Sequence, residues 1–339
     1  MILPAAATFS KDWRMFLGDD PKPFMVTGGK GAWLHGDNGL DYLDWPCALG
    51  ANILGYADDR WVSAIVKEVV KGTSFSLQTQ LEYEVARSLA NLLSFNVPGW
   101  SDKKLGVRFT KTGTECTTAA VRLARAVTGR DILLRCSDSY LGWGDWAIQT
   151  TPPAWGIPQP TDRPDQFVFL FRYGEDPEEI FGRLDDEYSK VSKIFVAPKN
   201  DFMPAAVILE QGLTDPPKDW YKKLRKQCDD HGTLLILDET ASGFRYALGG
   251  AAGYFSIMPD LATYGKALGN GVSISALVGH SEYMDWFGRR DPVFVSGTFH
   301  GETTGLAGAK MVLSILNEDS ISHLWNVGRV LQQGLMAAF

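Results

Sequence analysis

The chain has 339 residues, 45% of them hydrophobic, so it can bury a large core and has the length of about two domains. A formal charge of −7 without any basic run excludes a generic nucleic-acid or anionic-membrane binder and points to a small molecule or another protein as partner. Cys47, Cys116, Cys136 and Cys228 lie far apart without CxxC spacing, which argues against a zinc site or a disulfide framework and suits a reducing, cytoplasmic setting. Met1 to Ala7 lacks a basic n-region and a long apolar core, and no later stretch approaches 18 uncharged apolar residues. No signal peptide or membrane span is expected.

From Phe24 to Trp45, short β-like runs surround turn signals, with Asp37-Asn38-Gly39 between Ala32-Trp33-Leu34 and Leu40-Asp41-Tyr42-Leu43. This predicts a small antiparallel element within an N-terminal segment, residues 1–55. Trp61, Val62, Ile65, Val66, Val69 and Val70 recur at helical spacing, as do the apolar residues of Leu81 to Leu93. From Val107 onward, short apolar runs alternate with helical patterns: Val107–Phe109, Ile132–Leu134, Phe167–Leu170, Ala206–Leu209, Leu234–Leu237 and Ala276–Val278. That alternation predicts an α/β domain with a mainly parallel sheet over residues 56–316. Pro152-Pro153 to Pro164 reads as an irregular excursion over the surface. A helix is expected from near Thr303 through Leu313 and Leu316, and another from near Ser320.

Four strand ends carry chemistry. Phe109-Thr110-Lys111-Thr112-Gly113-Thr114-Glu115 links a strand to a helix, where free N–H groups and the helix dipole make an anion site suited to a phosphate; the plainer reading is that Thr112 or Thr114 only caps the helix. Tyr140 follows the next strand and could stack on a flat cofactor or serve as a rim aromatic. Glu210 ends another strand, and Ser296-Gly297-Thr298 makes a second small hydroxyl turn. Asp238 closes Leu234–Leu237, and Lys266 follows 28 positions later in an uncharged, Gly/Ala-rich stretch with Gly265, Ala267 and Gly269. Taken singly, such a lysine is usually solvated and such an aspartate usually caps a turn. Together they suit pyridoxal phosphate, which needs an amine to hold its aldehyde and a carboxylate to keep its ring nitrogen protonated. No GxGxxG or GxxxxGK[ST] follows an early strand, so a nucleotide site is the weaker alternative.

Over most of its length, from about Phe24 to the Thr303 helix, the chain resembles the class III (ω-amino) aminotransferases of pyridoxal-phosphate fold type I, in particular the glutamate-1-semialdehyde 2,1-aminomutase branch. The resemblance is carried by Thr112-Gly113-Thr114-Glu115-Cys116, by Arg122–Ala126 with Thr128-Gly129-Arg130, by Leu237-Asp238-Glu239-Thr240 with Gly243-Phe244-Arg245, and by Pro259-Asp260-Leu261 to Gly265-Lys266. It implies a mainly parallel seven-stranded sheet flanked by helices. It also implies that Lys266 forms the Schiff base and moves protons, that Asp238 pairs with the pyridinium nitrogen and that Tyr140 stacks on the ring. Thr112, Gly113 and Thr114 would hold the phosphate, with Glu210 and Thr240 also at the cofactor. Thr298 would reach the phosphate of a neighbouring subunit, which implies a homodimer with active sites at its interface.

The departures from the family pattern fall where substrates are chosen: Tyr140-Leu141-Gly142 for Tyr-His-Gly, Glu210-Gln211 for Glu-Pro, Thr240 for valine, Gly301-Glu302-Thr303 for Gly-Asn-Pro, and Ala48-Leu49-Gly50-Ala51 for Ser-Trp-Gly-Pro. These changes point away from glutamate semialdehyde as substrate. Residues 317–339 correspond to only the start of the family's C-terminal domain, which is expected to be lost or supplied by another chain. The leading expectation is amino-group transfer on a small amine or keto substrate, by transamination or an intramolecular amine shift. Decarboxylation, racemisation or elimination on the same scaffold is the second expectation, and a cofactor-holding, non-catalytic subunit the third.

Overall fold

The computed structural model describes residues 6–12, 24–148, 167–191, 202–212 and 214–338; the proline-rich stretch from Pro152 to Pro164 lies outside them. Near the N-terminus, β1 (Val26–Lys30), β2 (Trp33–Gly36) and β3 (Asp41–Leu43) pair antiparallel in chain order. Helix α1 (Asp59–Val69) begins where Asp58 accepts from the Arg60 and Trp61 amides, and α2 (Gln80–Asn96) begins on Thr79. A cap of this kind satisfies amides that have no partner inside the helix.

The central sheet is built from β4 (Leu105–Thr110), β5 (Leu133–Cys136), β6 (Val168–Phe171), β7 (Ala206–Glu210), β8 (Leu234–Glu239), β9 (Leu261–Tyr264) and β10 (Ser275–His280), in the order β4-β10-β9-β8-β7-β5-β6. Every neighbouring pair is parallel except those of β10, which runs antiparallel to both β4 and β9. The expected strand Ala276–Val278 is therefore the reversed member of an otherwise parallel sheet. Strand β9, just ahead of Gly265 and Lys266, is not among the runs expected from sequence. Strands β5, β8 and β9 are buried along their whole length, the pattern of strands covered on both faces.

Side-chain alternation divides the core in two. Val207, Leu209, Leu235, Leu237, Ala276 and Val278 point to the face packed by Val85, Leu89 and Leu93 of α2. Ala206, Ile208, Leu234, Ile236, Leu261 and Leu277 point to the other face, against Ala120, Leu123 and Ala124 of α3 (Gly113–Thr128). The same alternation carries Glu210, Asp238 and Thr263 onto the α3 face. The parallel register then pairs Glu210 with Asp238 and Asp238 with Thr263, so the three residues form one row across β7, β8 and β9 at their carboxyl ends. Further along the chain, α4 (Thr303–Ile315) starts on the side chain of Glu302, and α5 (Glu318–Ala338) follows it. No helix of the described residues is long and apolar enough to cross a membrane.

Candidate active site

The start of α3 stands over this row. Thr112 is its N-cap in a reciprocal capping box: the Thr112 hydroxyl accepts from the Glu115 amide at 3.3 Å, and the Glu115 carboxylate accepts from the Thr112 and Lys111 amides at 2.9 Å each. The capping reading of Thr112 thus holds. The cap leaves the Gly113 and Thr114 amides, the first two N–H groups of the helix, without an intrahelical acceptor and aligned with the positive end of the helix dipole. A Cβ placed on Gly113 would stand 3.1 Å from Thr240 Cγ2, so a larger residue here would crowd the floor of this cradle. Thr240 holds that floor, and its own amide donates to Asp238 at 2.9 Å.

Asp238 is 3% exposed, and its Oδ1 also accepts from Thr263 Oγ1 at 2.7 Å. Burial pushes its carboxyl above the ordinary carboxylate range, although these hydrogen bonds and the charge of Lys266 oppose the shift. Among the described residues Asp238 makes no ion pair. Beside it, Glu210 Oε1 accepts from the Tyr140 amide at 2.8 Å, and the Glu210 amide donates to Ser139 Oγ at 3.0 Å. These bonds tie the loop after β5 to the end of β7 and set Tyr140 at the edge of the site. The Tyr140 side chain is 45% exposed, and burial together with the charges of Asp238 and Glu210 raises its phenol above its ordinary value. Thr117 Oγ1 donates to the Leu141 carbonyl at 2.8 Å, which fixes the same loop to α3.

Lys266 follows β9 after Gly265 and has φ 39°, a left-handed conformation that is unfavourable for a residue with a side chain. Its charge opposes the rise of both the Asp238 and the Glu210 carboxyl, and it forms no ion pair with either. The resemblance did not assign Arg245. A Cβ on Gly50 would stand 3.9 Å from both Arg245 Nη2 and Lys266 Cδ, so these two side chains flank the same point. Thr298 is exposed and lines a cleft of about 290 Å³ with Phe75, Leu77, Arg108 and His300, and none of Glu210, Asp238 and Thr263 lines that cleft. Thr263, Ser139 and Arg245 were missed from sequence. Thr263 and Arg245 left a trace there, Thr263 three residues before Lys266 and Arg245 within Gly243-Phe244-Arg245.

Burial and the Asp238 charge raise Glu210 from its ordinary 4.5 to about 7. A carboxyl with a raised folded-state pKa contributes stability that is complete below pH 4.5 and is lost as pH rises through 7. Between pH 5 and pH 8, the unliganded protein is therefore expected to lose about 2 kcal/mol more stability than Glu210→Gln, allowing for partial solvent screening. Urea denaturation of both proteins at the two pH values measures the difference. Parallel pH curves would refute the assignment.

The arrangement fits pyridoxal phosphate. Two unpaired amides and a helix dipole suit a phosphate, a buried carboxylate without an ion pair among the described residues suits a protonated ring nitrogen, and the charge of Lys266 acts on that carboxylate. The family model for class-III aminotransferases matches residues 17–338. The chain is 33% identical over 323 residues to the glutamate-1-semialdehyde 2,1-aminomutase of Methanothermobacter thermautotrophicus, covering 93% of this chain and 72% of that protein. It is 31% identical over 331 residues to the enzyme of the same name from Persephonella marina, covering 95% and 73%. Among solved structures, an ω-transaminase from Sphaerobacter thermophilus superposes with a TM-score of 0.78 at 25% identity, over 94% of this chain and 72% of that one. A transaminase with pyridoxal phosphate bound superposes with a TM-score of 0.75 at 25% identity, over 88% and 68%. The chain belongs to the class-III aminotransferases, enzymes that depend on pyridoxal phosphate to move amino groups.

Proposed function

We propose that this chain moves an amino group to or from a small substrate at the carboxyl end of its parallel sheet, with Lys266 as the working base. The observation that carries this reading is the row Glu210, Asp238 and Thr263 under the α3 N-terminus, with Lys266 at the end of the adjoining strand. In the proposed site, the Gly113 and Thr114 amides hold the phosphate, with Thr112 fixing the helix start and Thr240 the floor. Asp238 faces the ring nitrogen, held by Thr240 and Thr263. Tyr140 offers a flat face, oriented through Glu210. Bound there, pyridoxal phosphate supplies an electron sink for a bond at the carbon bearing the substrate amine. Lys266 Nζ would hold the cofactor and, once released from it, would take the proton from that carbon and carry it to the far side of the amine nitrogen.

Transfer between two molecules fits better than an amine shift within glutamate semialdehyde, because the segment facing Lys266 carries Ala48 and Leu49 instead of serine and tryptophan. Thr298, exposed at the rim of its own cleft, is assigned to the phosphate of a second copy, which makes the working unit a homodimer with shared sites. Primary amines offered with keto acids are expected to yield a new keto acid and a new amino acid, detectable by mass spectrometry. Release of ammonia or CO2 in their place would overturn transfer. Mixing Lys266→Ala with Thr298→Ala subunits is expected to give dimers in which one site has lost both residues and the other keeps both, restoring activity that neither variant has alone. Failure of the mixture to recover activity would overturn the shared site.

A further inference from the structure

The Arg245 and Lys266 side chains flank Gly50, and the Arg245 guanidinium has no anionic partner among the described residues. It takes part in no ion pair among the described residues, its Nε is buried without a hydrogen-bond acceptor, and its Nη2 donates to the Gly50 carbonyl. The rest of its donor fork has no acceptor in the described chain. Burial lowers its pKa, opposed only by Cys47. Leaving a guanidinium partly desolvated and unpaired is unfavourable, and the cost is offset when an anion arrives. The side chain is only half-buried, so a small ligand can reach it. The loop it holds is itself constrained, since Cys47, Ala48 and Leu49 have φ of 49°, 55° and 58°, a run that residues with side chains rarely adopt. Gly50 of this loop approaches Lys266, and Ala48 and Leu49 before it carry no side-chain polar group to bind an acid.

We infer that Arg245 is the carboxylate-binding residue of the substrate site, pairing with the acid group of an amino acid whose amine is directed to Lys266. The inference rests on the amino-transfer reading but concerns a different group and a different ligand atom. A planar fork beside the reacting amine would fix the substrate at two points and select carboxylated amines over plain ones. The loop 47–50 would form the apolar wall between them.

L-Alanine and isopropylamine differ by a carboxylate in place of a methyl group, which makes them a matched pair of probes. With the cofactor-loaded enzyme, the ratio of kcat/KM for L-alanine over isopropylamine is expected to fall at least about tenfold in Arg245→Gln, mainly through KM, and to recover in part in Arg245→Lys. An unchanged ratio, with both amines affected alike, would show that Arg245 only supports the loop. Equilibrium dialysis of labelled propanoate against the same proteins needs no turnover. Binding to the unaltered holoenzyme, weakened about tenfold in Arg245→Gln, is the expected result. Equal binding to both proteins, or none to the unaltered one, overturns the inference. Propanoate binding that depends on Arg245 in an enzyme that converts neither amine would instead sink the amino-transfer reading and leave the carboxylate site standing.

Discussion

Lys266→Ala is expected to lower kcat about ten-thousandfold and to abolish the visible absorption band that the unaltered protein gains with pyridoxal phosphate. Two losses combine in this variant: the nitrogen that holds the cofactor, and the base that carries the proton, the latter alone worth about 10²–10⁴ in rate. The phosphate contacts at Gly113 and Thr114 are not touched, so the variant should still bind the cofactor, more weakly and reversibly. Spectra of both proteins before and after desalting measure this directly. A band that survives desalting in the variant would mean that another amine holds the cofactor. High concentrations of a small primary amine should restore a fraction of the turnover, because they return a base without returning its tether.

The second large effect is expected at Asp238. Asp238→Asn keeps the size of the side chain and an acceptor for Thr263 and Thr240, but removes the charge opposite the ring nitrogen. Loss of one aligned electrostatic partner in a buried site typically reduces the rate about 10²–10³-fold. The sign of a pH effect follows from burial, which raises the Asp238 carboxyl in the unliganded chain. As pH falls through that raised value, the group becomes neutral and can no longer pair with a cationic ring. Cofactor affinity of the unaltered apoprotein should therefore weaken toward acid pH, while that of Asp238→Asn should lose most of this dependence. Fluorescence titrations with pyridoxal phosphate at several pH values test it. Identical pH profiles for the two proteins would mean that Asp238 does not face the ring.

Much of the site could be read in the sequence because its residues sit at the ends of apolar runs, and the alternating pattern of a strand brings such ends to one edge. Asp238 and Glu210 were found in this way, and the register places them side by side. Thr112-Gly113-Thr114 was legible as a helix start, though sequence could not tell the cap from the cradle; Thr112 makes the cap, and the two amides after it remain open. Strand β9 escaped because Leu261–Tyr264 has only four residues and merges into the glycine-rich segment that follows. The reversal of β10 was also hidden, since a strand's direction is set by its connection and not by its own residues. Arg245 could not have been placed, because its neighbour Gly50 is 195 positions away and the contact is to a backbone carbonyl that no residue type announces.

The left-handed backbone of Lys266 has a consequence for how this protein can change. Glycine would occupy φ 39° without penalty, so a sequence optimised for folding alone would place glycine at 266 and lose the amine. Durability and chemistry pull in opposite directions at this one position. Variants selected only for heat resistance are expected to drift toward inactivity there, and a stabilised working enzyme will need to gain its margin elsewhere in the chain.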